Sequence, residues 1–241
     1  MGSAGEAQRE RLAELRRLMA AAPARGAGAT LRRPLRRETL PVPSALVELL
    51  PEGGLPKGSV VAYAGASSLL AGLLAAVTGT GGHAAAVGLP RLGLLAAAEM
   101  GAELERLAVV PDPGSDPVEV AAVLLDGLDL VVLGLGGVSV PPSRTRVLAA
   151  RARSKGSTLI VTGGAWSGPS LRIEARVAGY DGVGRGCGRL RTMRLDVRVH
   201  GRSSPPRTGT LELSPRDDRV EWTAAQPNTP QQLTPVREVA S

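Results

Sequence analysis

Ser59-Val60-Val61-Ala62-Tyr63-Ala64-Gly65-Ala66-Ser67-Ser68-Leu69-Leu70-Ala71-Gly72 decides the fold of this 241-residue chain. Ser59–Ala64 is uniformly apolar, as a strand is when both of its faces are covered. Ser67–Thr78 has the length and spacing of a helix. The same alternation then repeats. Strand-like runs occur at His83–Gly88, Leu107–Val110, Leu128–Leu133 and Thr158–Val161, with helix-like stretches at Arg91–Met100, Ser115–Asp126 and Ser143–Lys155 between them. Strands alternating with helices predict right-handed βαβ units and a mostly parallel sheet with helices on both faces.

The flanks read differently. Residues 6–22 form an amphipathic pattern, with Leu12, Leu15, Leu18 and Met19 on one face. Residues 23–37 are rich in Gly, Pro and Arg, like a linker. Beyond residue 165 the period changes to two. Met193, Leu195, Val197 and Val199 alternate with Arg194, Asp196, Arg198 and His200, the signature of a strand with one wet face. Thr210–Leu213 and Arg219–Trp222 suggest a hairpin, and residues 226–241 have a composition that reads as disordered. The expected organisation is therefore an N-terminal helix and basic linker over 1–39, a core over 40–202, a hairpin over 203–225 and a tail over 226–241.

Composition narrows the classes. With 27 Arg and only 2 Lys the net charge is +7, spread as +5 over residues 1–40, −7 over 41–130, +10 over 131–202 and −1 over 203–241. An acidic and a basic half would steer polyanions or acidic protein patches, unless the arginines are ordinary solvated faces. A single Cys187 allows no internal disulfide, and the His and Cys residues lack zinc-ligand spacing. With no Phe, 2 Trp and 2 Tyr, there is little for bases to stack on. The longest apolar run, Leu69–Val77, is too short to span a membrane, and Arg16-Arg17 is not followed by a signal-peptide core, so a cytoplasmic protein is expected.

The first strand–helix turn of such a fold is the default ligand site. A phosphate loop there requires G-x-x-x-x-G-K-[ST], whose amides wrap the phosphates while the Lys offsets charge and the hydroxyl holds magnesium. This chain keeps Gly65, Ala66, Ser67 and Ser68 as a vestigial loop, but apolar residues follow where Lys and Ser/Thr should stand. A second candidate is Gly182–Gly188 with Arg185, Arg189 and Arg191, continued by Arg194 and Arg198. Two readings are open for it: a basic loop touching phosphate or an acidic partner, or a Gly-rich turn into the next strand. Asp112-Pro113-Gly114-Ser115-Asp116 reads as a turn with Ser115 or Asp116 capping the next helix. Ser139 lacks the second Gly of a nucleophile elbow. Trp166 and Tyr180 flank the basic region and suit either a core edge or an interface.

Several blocks together resemble the RecA recombinase family. Gly53-Gly54-Leu55-Pro56-Lys57-Gly58-Ser59-Val60-Val61 with Gly65-Ala66-Ser67-Ser68 resembles the approach to that family's ATP site. His83–Pro90 and Ala98–Leu107 resemble its second strand, helix and turn into the third strand, Leu128–Leu133 its magnesium-site strand, and Arg194–Arg198 the strand after its second DNA-binding loop. The similarity covers about residues 40–202. It implies a RecA-like, P-loop NTPase-type α/β domain with a degenerate phosphate loop. The catalytic positions depart from the family pattern: the catalytic Glu falls near Pro90, the magnesium Asp at Leu133-Gly134 and the switch Gln near Gly163-Gly164. Without these groups nothing organises magnesium, attacking water or γ-phosphate.

Ala85–Glu99 and Gly182–Arg191 are most similar to the ImuA family in its actinobacterial form. That resemblance implies a non-catalytic accessory protein of SOS-induced, error-prone translesion synthesis with no cofactor. Its partners would be an ImuB-type Y-family-like polymerase subunit and a DnaE-type polymerase, with weak DNA contact over residues 172–202. The division inhibitor SulA shares the retired fold and is the rival implication. A functioning ATPase is the third.

Overall fold

The computed structural model describes residues 38–184, 187–202, 204–216 and 219–225, and side chains outside 183–189. The expected N-terminal helix over 6–22, its linker and the tail over 226–241 lie outside the described residues. A two-stranded antiparallel piece, β1 (Thr39–Leu40) with β2 (Leu55–Pro56), brackets a 3-10 turn over Ser44–Leu49.

Nine further strands make one sheet: β3 (Val60–Gly65), β4 (Ala84–Val87), β5 (Leu107–Val110), β6 (Leu130–Gly134), β7 (Thr158–Thr162), β8 (Leu171–Gly184), β9 (Cys187–Gly201), β10 (Arg207–Arg216) and β11 (Arg219–Ala224). Their order across the sheet is β11-β10-β9-β8-β3-β7-β6-β4-β5. From β5 to β8 every neighbouring pair is parallel. From β8 to β11 every pair is antiparallel. The sequence-based boundary at residue 202 falls inside this sheet, because β10 pairs with β9 along its length.

Four helices connect the parallel strands: α1 (Ser67–Thr78), α2 (Leu94–Glu99), α3 (Pro117–Leu124) and α4 (Pro142–Lys155). The two-residue period of the strands splits the core between the sheet's faces. Val61, Tyr63, Ala84, Ala86, Leu130 and Val132 pack with α1 on one face. Val60, Ala62, Ala85, Val87, Val131 and Leu133 pack with residues of α3 and α4 on the other. Both sets are apolar, so these strands show no alternation in sequence.

Local chemistry sets the helix ends. The Asp116 carboxylate accepts the Glu119 amide and Pro117 occupies the first turn of α3. The Arg91–Met100 pattern yields only a short α2, because Gly93 is the residue from which that helix starts. Helix α4 starts at Pro142 and ends at Gly156, whose φ of 67° is the left-handed conformation typical of helix stops. No helix among the described residues is long and apolar enough to cross a membrane.

The antiparallel strands are covered on one face only. Leu195, Val197, Val199, Leu211 and Trp222 join the α1 side of the core. Cross-strand pairing puts Arg172 opposite His200, Glu174 opposite Arg198 and Arg176 opposite Asp196. Arg172, Arg176, Asp196 and Arg198 are exposed. The strand expected over Leu190–His200 is thus present with its wet face, and extends to Cys187–Gly201. The strand expectation did not extend to β8. Its alternation of Leu171, Ile173 and Ala175 with charged residues merges into a glycine-bearing stretch, and the register shifts between Val177 and Gly179.

Candidate functional site

Strand β3 ends at Gly65 and α1 begins at Ser67, so Ala66 alone forms the turn. A phosphate loop needs several residues there, with free amides lining a concavity. Here the Ala66 amide is taken, donating to the Ala175 carbonyl at 3.0 Å. The Ala66 carbonyl is taken as well, accepting from the buried Tyr63 hydroxyl. Burial pushes the Tyr63 phenol well above its usual pKa, so it remains a donor. Gly65 sits at φ 119°, and a Cβ there would collide with the Ala175 backbone. Glycine at 65 therefore permits β8 to pack against the turn.

Of the four retained loop residues, Gly65 and Ser67 are exposed, Ala66 and Ser68 half-buried. The Ser68 hydroxyl has no hydrogen-bond partner. Helix α1 absorbs the positions where Lys and Ser/Thr would stand. They are Ala71, fully buried, and Gly72, whose missing side chain makes room for the Trp222 indole. Ala66–Gly72 is thus turn and packed helix, without the several-residue loop that wraps a triphosphate.

Of the other positions of a RecA-type site, Gly134 and Gly164 are closed in the same manner. Gly134 ends β6 at the expected magnesium position. A Cβ there would collide with the Gly88 carbonyl and lie 2.8 Å from Leu89 Cδ2. The chain around Gly163-Gly164 is joined to the loop after β6. Gly137 N–H donates to Gly163 O at 2.5 Å, Leu135 N–H to Thr162 O at 2.8 Å and Val140 N–H to Ala165 O at 3.1 Å. Pro90 is exposed in the turn before α2. Backbone contacts thus leave no room for a side chain at Gly65, Gly134 or Gly164.

Of the arginine candidates, the side chains of Arg191, Arg194 and Arg198 are described. Gly182–Gly184 and Cys187-Gly188 lie at the far ends of β8 and β9, with Gly184 opposite Cys187. Arg185 and the side chains of Cys187 and Arg189 lie outside the description. Arg191 is exposed farther along the hairpin, Arg194 pairs with Asp181 at 3.1 Å, and Arg198 lies on the wet face. The first reading, a basic loop, is replaced at Gly182–Gly184 and Cys187-Gly188 by strand. Hairpin residues 176–184 run past the last β3 pairing by about 30 Å. Tyr180, 55% exposed, is on this extension, whereas Trp166 is buried.

The structure also changes the meaning of the two charged halves. Arg144 of α4 pairs with Asp116 at 2.6 Å, and Arg151 makes a two-pronged contact with Asp126 at 2.8 and 2.6 Å. Basic second-half residues thus neutralise two acidic residues of the first half, Asp116 and Asp126. The Arg151 hydrogen bonds hold the Asp126 carboxyl below the usual carboxylate range. Asp112 accepts the Gly114 amide at 3.0 Å in a tight turn. Ser139 bridges to Ala165, and no group of three or more His, Cys, Asp or Glu among the described residues is placed to hold a metal.

The fold and its closed rim define a class: a RecA-like α/β domain without a formed phosphate loop. The chain belongs to the family of the MT3502 N-terminal domain, which matches residues 48–168, with the Rv3395c C-terminal domain matching residues 171–209. The junction between the two matches falls between β7 and β8. It is similar to the uncharacterized protein Rv3395c of Mycobacterium tuberculosis, at 56% identity over 169 residues, covering 66% of this chain and 83% of that one. Among solved structures it is similar to the KaiC-like protein PH0186 of Pyrococcus horikoshii. That likeness has a TM-score of 0.51 at 14% identity, over 80% of this chain and all of the other, and concerns the fold alone.

Proposed function

We propose that this protein is a non-hydrolysing RecA-like adaptor of damage-induced, error-prone translesion synthesis, as in the ImuA family. It holds an ImuB-type Y-family-like polymerase subunit and, with it, a DnaE-type polymerase. One observation carries the non-catalytic part: the β3–α1 turn is a single residue whose amide is already bonded to Ala175. The sheet is kept while the nucleotide loop is gone, which leaves binding surfaces as the use of the fold. The ImuA-like segments Ala85–Glu99 and Gly182–Arg191 support the pathway. The first contributes β4 and α2, and the second the far end of the β8–β9 hairpin.

Deleting the gene and measuring damage-induced mutation frequency tests the reading. The expected result is loss of induced mutagenesis, with the tagged protein recovering the polymerase subunit from damaged cells. Unchanged mutagenesis with filamentation on overexpression would replace it by a SulA-like role. Magnesium-dependent ATP turnover that disappears on altering Ser67 and Ser68 would overturn the non-catalytic part.

A further inference from the structure

At the end of the sheet opposite the closed turn, a groove of about 1180 Å³ opens between α4 and the starts of β3 and β8. One wall is a stripe of α4: Arg146, Ala149, Ala150 and Arg153. Spacings of three, four and seven put them on one helical face, with the arginines about 10 Å apart and only alanines between. Helix α4 divides its five cations. Arg144, Arg151 and Lys155 meet the carboxylates of Asp116 and Asp126. The side chains of Arg146 and Arg153 are exposed and have no hydrogen bond or ion pair within the described residues. Arg202 reaches the same groove from the end of β9, held by one bond from Nη2 to Gly168 O at 2.8 Å.

From these unspent guanidinium groups we propose that the groove is a docking site for an acidic peptide segment of a protein partner. The proposal rests on the adaptor reading and names the chemistry of one contact within it. Two guanidinium groups whose N–H edges are not engaged by described residues suit carboxylates, each of which accepts a pair of parallel N–H bonds. The lining favours a peptide over nucleic acid. It contains no aromatic ring on which a base could stack. It also carries Glu38 and Glu52, with the Glu38 side chain 81% exposed beside Lys57. A uniformly anionic backbone would meet these carboxylates as well as the arginines, whereas a peptide with carboxylates on one side only need not.

The test uses the full chain and a fluorescein-labelled peptide of about 12 residues alternating Glu and Ala, read by fluorescence anisotropy. The double variant R146E/R153E should weaken binding by about tenfold or more. R216E, at the exposed end of β10 and outside the groove, should change it less than about twofold. Both double-variant sites are exposed, and the milder R146Q/R153Q should give the same ranking with an unchanged circular dichroism spectrum. Equal losses from R216E and R146E/R153E would overturn the proposal, as would no loss from the double variant. Tighter binding of a labelled oligothymidylate of about 20 nucleotides, lost in the same double variant, would reassign the groove to nucleic acid and also overturn it. Polymerase capture that survives R146E/R153E breaks this proposal alone. Failed capture with intact peptide binding breaks the adaptor reading alone.

Discussion

The two ends of the central sheet have opposite character. At the carboxyl ends of the parallel strands, where α/β folds usually hold ligands, glycines bring backbone against backbone and close the space. Gly65 meets Ala175, Gly134 meets Gly88, and the loops after β6 and β7 are joined by hydrogen bonds. At the other end, α4 and the starts of β3 and β8 leave a groove with two arginines that no described residue pairs. Closing a rim needs residues without side chains, whereas leaving a groove needs short side chains flanked by long charged ones. The fold thus keeps its layers while the available surface moves from one end to the other.

The sharpest way to break this contrast is to reinstate a carboxylate at the closed end. G134D should cost about 4 kcal/mol or more, or prevent folding, because the new side chain meets the Gly88 carbonyl and would bury a charge. A soluble G134D with an unchanged urea midpoint would mean that the rim has room after all. Next in size is W222A, expected to lose about 3–4 kcal/mol in urea unfolding, since Trp222 is 4% exposed and clasps the antiparallel strands to α1. W222F should lose less, because the indole nitrogen has no hydrogen-bond partner to forfeit.

Restoring the phosphate-loop residues with A71K/G72S is a third test. Calorimetry should detect no ATP binding, and stability should fall by about 2–3 kcal/mol, because both positions lie inside a packed helix. Binding of ATP by that variant would show a latent cradle and erase the difference between the two ends. The smallest effect belongs to D126N, under about 1 kcal/mol, as the Asp126 side chain is 33% exposed. Its carboxyl titrates lower in the folded state than in the unfolded chain, whose value is near 4. The wild-type advantage is therefore full above about pH 4 and is lost as pH falls through the lower folded value. An advantage that grows toward acid pH would contradict the Arg151–Asp126 contact.

Much of the parallel half is legible in the sequence. Ser67–Thr78 is both the expected and the observed helix, and the expected strand at Leu107–Val110 is β5. Long apolar runs punctuated by glycine have few alternatives. The closed rim is less legible. Departure from a catalytic pattern is visible at Pro90, Leu133-Gly134 and Gly163-Gly164, but whether a site merely lacks residues or lacks space is not. Ala66 as a one-residue turn depends on where β3 stops, and Ala175 from β8 decides that. The groove arginines are more hidden still. Arg144, Arg146, Arg151 and Arg153 are chemically equivalent in sequence, and only the position of α3 separates the paired from the unpaired.

By itself the sequence determined the alternation of strands and helices, the loss of the phosphate-loop lysine and hydroxyl, and the surplus of arginine. Those properties follow from residue types and short-range spacing. The tertiary structure alone decided that β8 joins β3 and blocks its turn, that Gly134 touches Gly88, and which arginines remain unpaired. Each of these is a contact between segments far apart in the chain, set by the order of strands in the sheet and the sides on which the helices pack.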